Sequence, residues 1–156
     1  MPKIAASGRE VYLRWEDGRN GNSDIYLNRS LDAGSTRLPL NVRLDTGSAP
    51  GAAYSSRPRV ATAGGAFMVV WEDGRNGWPD IYENRSLDAG STWLATDVRL
   101  DTGDAPGTSS SGPAALAVTA TQARAAAVIC SKAPAATTLL DTKWPPMPRA
   151  TAPASR

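Results

Sequence analysis

Residues 67–106 read FMVVWEDGRNGWPDIYENRSLDAGSTWLATDVRLDTGDAP, and residues 11–50 read VYLRWEDGRNGNSDIYLNRSLDAGSTRLPLNVRLDTGSAP. Placed one over the other at a spacing of 56 residues, the two stretches agree at 28 of 40 positions. Pro2-Lys3-Ile4-Ala5 falls on Pro58-Arg59-Val60-Ala61 at the same spacing. A fixed period of this length marks an array of structural units. It also sorts the polar residues, because a side chain present in every unit is better suited to building the unit than to catalysis.

Each unit reads as four short strands. In the second copy these are Arg59–Ala63, Phe67–Asp73, Asp80–Ser86 and Thr96–Asp101. The runs are rich in Val, Ile, Tyr and Trp, and Gly, Asn, Asp and Pro punctuate them, which is the strand-and-turn pattern. Four strands in about 40–50 residues is the content of one propeller blade. The expected fold is therefore all-β: two four-stranded antiparallel blades of an incomplete propeller, followed by an Ala/Pro-rich irregular C-terminal segment. The units are placed at 1–50 and 51–106, with the segment at 107–156.

Strand faces refine this. Phe67, Val69 and Trp71 point one way, and Met68 and Val70 the other, so the second blade is apolar on both sides. In the first copy Val11, Leu13 and Trp15 make one apolar face, while Tyr12 and Arg14 lie opposite. The Tyr12 and Arg14 side is expected to be the wetter one.

The last third breaks the pattern. From Gly107 to Arg156 there are fourteen Ala, six Pro and one acidic residue, Asp141. Ser110-Ser111-Gly112-Pro113 still resembles Ser55-Ser56-Arg57-Pro58, but the later motifs do not return. Three readings stay open. The segment is a decayed third blade with strands at Ala125–Cys130 and Thr137–Asp141, the product of a shifted reading frame in a GC-rich gene, or a disordered or helical tail.

Composition excludes several chemistries. The chain of 156 residues has no His, which removes imidazole bases and Ser-His-Asp triads. Its single Cys, Cys130, excludes an intrachain disulfide and a cysteine zinc cluster. Seventeen basic residues are scattered against fifteen acidic ones, so no nucleic-acid partner is expected. No apolar run is long enough for a membrane span, and the N-terminus lacks the apolar stretch of a signal peptide. No cofactor is expected. Asp17 to Asp24 carries oxygen ligands of the kind calcium takes, without the spaced acids and bidentate Glu of an EF-hand, so no metal site is assigned.

Ser86, Asp88, Gly90, Thr92 and Trp93 fill every fixed position of the pattern S-x-D-x-G-x-T-W. Ser30, Asp32, Gly34 and Thr36 fill all but the last, where Arg37 stands in place of Trp. This is the Asp-box, or bacterial neuraminidase repeat, and residues 2–113 resemble the repeats of sialidase-like β-propellers. In that family the boxes are regarded as structural. The physics agrees: the carboxylates of Asp32 and Asp88 can accept hairpin N–H groups that lack ladder partners. Gly34 and Gly90 supply positive φ, and Trp93 can pack over the hairpin. Arg37 cannot, so the first hairpin is expected to be looser.

The resemblance implies, for an active sialidase, three Arg around a carboxylate, a Tyr–Glu nucleophile pair and an Asp acid/base. Here the candidates come in duplicate: Arg19 with Arg75, Arg29 with Arg85, Arg43 with Arg99, Glu16 with Glu72, Asp24 with Asp80, Tyr26 with Tyr82. One asymmetric site needs one of each part, so structural roles such as an Asp17–Arg19 turn brace are expected, and no catalytic residue is assigned. The unpaired residues Tyr54, Arg57, Glu83 and Asp104 are better candidates. Trp78 either stacks on a sugar ring or packs on a neighbouring blade. The ligand-binding set is Tyr54, Arg57, Trp78 and Glu83. The expected role is a non-catalytic scaffold or recognition module for a glycan or protein; the alternative is a fragment of an exo-sialidase or other glycoside hydrolase. Two blades leave open faces, so a homo-oligomer that completes a ring is a further expectation. The resemblance suggests a secreted or cell-surface setting.

Overall fold

The computed structural model describes residues 1–119, 124–131 and 138–140. Among them there are eleven strands and no helix. Sheet 1 is β1 (Lys3–Ser7), β2 (Glu10–Asp17), β3 (Asp24–Ser30) and β4 (Val42–Arg43), paired in chain order. Sheet 2 is β5 (Ser55–Ala63), β6 (Ala66–Asp73), β7 (Asp80–Ser86) and β8 (Val98–Arg99), again in chain order. Every pairing is antiparallel, and the registers repeat at the 56-residue spacing: Trp15 faces Tyr26, and Trp71 faces Tyr82.

The fourth strand of sheet 2 is shorter than Thr96–Asp101. Only Val98 and Arg99 pair, because Asp97 turns to the Arg75 guanidinium and Arg99 reaches back to Asp101 and Asp104. Within the stretch expected to be irregular lie β9 (Ser111–Thr119), β10 (Arg124–Ser131) and β11 (Thr138–Leu140), which form sheet 3 in the order β11-β10-β9. The strands expected at Ala125–Cys130 and Thr137–Asp141 overlap β10 and β11. Thr137 and Asp141 themselves lie outside the described residues.

The sheets stack face to face with their first strands adjoining, β1 beside β5 and β5 beside β9. The same backbone pin joins each sheet to the next. Ser55 N donates to Ser23 O at 2.8 Å, and 56 residues on Ser111 N donates to Pro79 O at 2.8 Å. The pin of the third unit is therefore built before the Ala-rich text begins.

Between sheets 1 and 2 lies the larger core. Tyr12, Ile25, Leu27 and Leu44 meet Phe67, Val69, Trp71 and Tyr82, with Trp93 packed at the edge. Tyr12 lies 4.1 Å from Phe67 by ring centroids, and Trp93 meets Phe67 edge-on at 5.5 Å. Such aromatic pairs add about 0.5–1.5 kcal/mol each beyond their burial. A second core holds Met68, Val70, Ile81 and Leu100 on the other face of sheet 2, against Leu116 of β9. All eight residues of β6 are buried, as its two apolar faces predict.

Sheet 1 corrects one expectation. The Tyr12 and Arg14 side is the covered one, with Tyr12 0% and Arg14 4% exposed. Val11, Leu13 and Trp15, the more apolar face, are only half-buried. Chain order decides this, because sheet 2 packs on the Tyr12 side. Burial and then the nearby Arg59 charge push the Arg14 guanidinium down to about 10.

Candidate functional site

The two SLDAGST segments bridge β3 to β4 and β7 to β8. In the second, the Ser86 hydroxyl donates to Asp88 Oδ1 at 2.7 Å and accepts from Gly90 N at 2.8 Å. Asp88 then accepts from Thr92 N at 2.8 Å, from the Thr92 hydroxyl at 2.7 Å and from Ser91 N at 3.1 Å. Ser30, Asp32, Gly34 and Thr36 repeat the network: Asp32 takes Thr36 N at 2.8 Å and the Thr36 hydroxyl at 2.7 Å. These donors hold the Asp32 and Asp88 carboxyls well below the usual carboxylate range.

Gly34 and Gly90 have φ of 94° and 78°, and the preceding Ala33 and Ala89 are also left-handed, at 61° and 55°. The motif thus tolerates two consecutive positive-φ residues, one of which carries a side chain. Trp93 spends its ring on Phe67, in the core between the sheets. Arg37 at the matching position of sheet 1 is exposed.

The WEDGRNG turns are braced in the same way twice. Trp15 Nε1 donates to Asp17 at 2.9 Å, and Trp71 Nε1 to Asp73 at 3.0 Å. Arg19 pairs with Asp17 and lies over the Tyr26 ring; Arg75 pairs with Asp73 and lies over the Tyr82 ring at 4.0 Å. Asn20 bridges Asp24 and the Tyr26 hydroxyl, and Asn76 bridges Asp80 and the Tyr82 hydroxyl. Asp24 and Asp80 also accept the backbone N–H groups of Gly51 and Gly107. The Asp17 and Asp24 carboxylates of the segment considered for calcium therefore accept protein donors.

The unpaired candidates separate. Tyr54 and Trp78 are 55% and 61% exposed, and the Arg57 side chain is 67% exposed. Tyr54 O accepts from Gly74 N, so Tyr54 sits at the base of the turn that carries Trp78. Arg57 occupies a bulge of β5 at the same end of the sheet, opposite the SLDAGST hairpins. Glu83 is 3% exposed, pairs with Arg85, and is raised above the usual carboxylate range by burial. Asp104 is tied to Arg99, Thr108 and Ser109.

One convergence is not visible from the sequence. Glu16 of sheet 1 accepts the Arg57 backbone N–H at 2.7 Å, and Glu72 of sheet 2 takes the Arg57 guanidinium at 3.0 Å. Two duplicated acids thus meet on one unduplicated arginine, whose φ of 50° is left-handed. The only sequence signal is that Arg57 has no partner in the repeat.

Asp45 was also missed. It is fully buried, and burial raises its carboxyl to about 6. Between pH 4 and 6 the folded chain holds a proton that the unfolded chain releases. The ionised group therefore costs stability as pH rises through that window, by about 1–3 kcal/mol at pH 7. Asp45→Asn is expected to raise the urea midpoint at pH 7.5 and to leave it unchanged at pH 4. Equal gains at both pH values would overturn this.

Comparison of the chain with protein-family models, with curated proteins and with solved structures finds no match.

Proposed function

We propose that this chain is a piece of an Asp-box β-propeller that serves as a non-catalytic scaffold or recognition module. One observation carries the reading. The duplicated residues that a sialidase-like site would draw on are engaged in bracing, largely alike in both copies. Arg19 and Arg75 hold turns, Asp24 and Asp80 hold a loop glycine, and Arg43 and Arg99 hold the chain after the fourth strand. A guanidinium that is both bonded to protein acceptors and mostly buried, as those of Arg43, Arg75 and Arg99 are, is a poor substrate clamp. The face-to-face stacking with adjoining first strands supports the propeller reading.

Tyr54, Arg57 and Trp78 form the candidate recognition surface. Exposed aromatic rings and an exposed arginine at one end of the sheet suit a sugar or a polar protein surface. The resemblance suggests a secreted or cell-surface setting for such a module. The alternative, a fragment of an exo-sialidase or other glycoside hydrolase, draws on Arg57, whose strained backbone and paired acids are of the kind found at functional sites.

The test is retention on a glycan array alongside hydrolysis of a fluorogenic sialoside. Retention without turnover, reduced at least ten-fold by Trp78→Ala, is the expected result. Turnover abolished by Arg57→Ala would replace the scaffold reading with the hydrolase one.

A further inference from the structure

Sheet 1 buries a cation where sheet 2 has none. Arg14 of β2 lies on the covered face and is 4% exposed, whereas Val70 stands at the equivalent position 56 residues on. Arg14 therefore belongs with the unduplicated residues. Its Nε is sealed from solvent without an acceptor, and among the described residues nothing bonds the guanidinium. A buried charge is ordinarily paired, because an unpaired one forfeits its hydration for nothing in return.

The neighbouring charges deepen the imbalance. Lys3 of β1 lies directly opposite Arg14 in the strand pairing, which puts both side chains on one face. Like charges placed opposite each other repel. Burial, and then the Arg59 charge, lower the proton affinity of the Arg14 guanidinium, while Glu16 raises it. Lys3 and Arg59 are exposed, and their side chains have no partner among the described residues. Glu16 already accepts the Arg57 N–H at 2.7 Å, and Glu72 holds the Arg57 guanidinium at 3.0 Å. Three cations against the Glu16 carboxylate leave an excess of two positive charges.

We propose that Arg14, Lys3 and Arg59 form a binding site for a phosphate group, at the edge where β1 adjoins β5. A phosphate monoester carries about −1.5 to −2 charge at neutral pH, which matches the excess. Its oxygens can take charged donors from three strands at once, whereas a planar carboxylate presents two. The exposed Lys3 and Arg59 mark the side from which the anion arrives, and Arg14 supplies donors from between the sheets. The site is separate from the Tyr54 and Trp78 surface, and the Arg57 guanidinium, held by Glu72, takes no part in it.

The test is calorimetric titration of the full chain with inorganic phosphate, with glycerol phosphate and with acetate, at matched ionic strength and neutral pH. Saturable binding of a phosphate, at least ten-fold tighter than acetate, is expected, and Arg14→Met should weaken it at least ten-fold. Lys3→Ala with Arg59→Ala, both at exposed positions, should weaken it likewise and leave the circular dichroism spectrum unchanged. That pair keeps the test independent of a substitution between the sheets. Tighter binding of glycerol phosphate makes a phosphorylated molecule the ligand, and tighter binding of inorganic phosphate makes it the free ion. Arg14→Met is also expected to raise the urea midpoint in phosphate-free buffer, since it removes an unpaired buried charge. Absence of saturable binding, equal binding of acetate, binding that survives both variants, or a lowered midpoint would each overturn the proposal.

Discussion

Replacing Gly51 with alanine is expected to destabilise the chain by about 2–4 kcal/mol. Gly51 has φ of 69°, and a Cβ there would overlap the Asn20 carbonyl of the first turn. The left-handed backbone alone costs a non-glycine residue about 1–2 kcal/mol. The overlap adds more, because the obstacle is backbone and cannot rotate away. Moving the loop also strains three bonds: Gly51 N to Asp24 at 2.9 Å, and Gly51 O from the Asn22 backbone and side chain, each at 3.1 Å. Gly107 repeats the arrangement against Asn76 at φ of 70°, so Gly107→Ala should behave alike. Gly8 is the control. It is left-handed at 59°, yet nothing lies within 4 Å of an added Cβ. Gly8→Ala should therefore show only the backbone cost. Urea midpoints measure all three, and equal losses at Gly8 and Gly51 would refute the close-approach argument.

Phe67→Ala should cost about 3–5 kcal/mol, the range for deleting a buried aromatic from a packed core. Phe67 is 1% exposed and lies between the Tyr12 and Trp93 rings, so its removal breaks two aromatic contacts and opens the space between the sheets. Val11 holds the matching position in sheet 1 but borders an open groove. Val11→Ala should cost about 1 kcal/mol or less, since the truncated site is already partly solvated. The contrast between these two repeat-equivalent positions is the quantity of interest. A loss at Phe67 no larger than that at Val11 would show that the sheets do not pack on each other in solution.

Much of the fold was legible because the repeat doubles every signal. The strand ending in Trp15 or Trp71, the Asp-Gly-Arg-Asn-Gly turn and the SLDAGST hairpin each occur twice, and the observed strands follow them. The fourth strand of the second unit is shorter than the sequence suggests, because side-chain bonds of Asp97 and Arg99 compete there with ladder pairing. The third sheet is hard to read from the sequence, because alanine carries little strand signal and the repeat motifs are missing after Pro113. The bracing of the duplicated residues could be anticipated from their pairing. The meeting of Glu16 and Glu72 on Arg57 could not, since it joins side chains 41 and 15 residues away in the chain.

By itself the sequence determined the first three strands of each repeated unit, the period, and the turn and hairpin chemistry of the WEDGRNG and SLDAGST segments, because the pairings and turns rest on contacts within about twenty residues. Only the tertiary structure decided which face of each sheet is covered. Tyr12 and Arg14 look like a solvated edge and are buried, while Val11, Leu13 and Trp15 look like core and border an open groove. Alternation along a strand separates two faces but carries no label for the one a neighbour will take. That choice is made by the Ser55 to Ser23 pin and by the direction in which the chain steps from one sheet to the next.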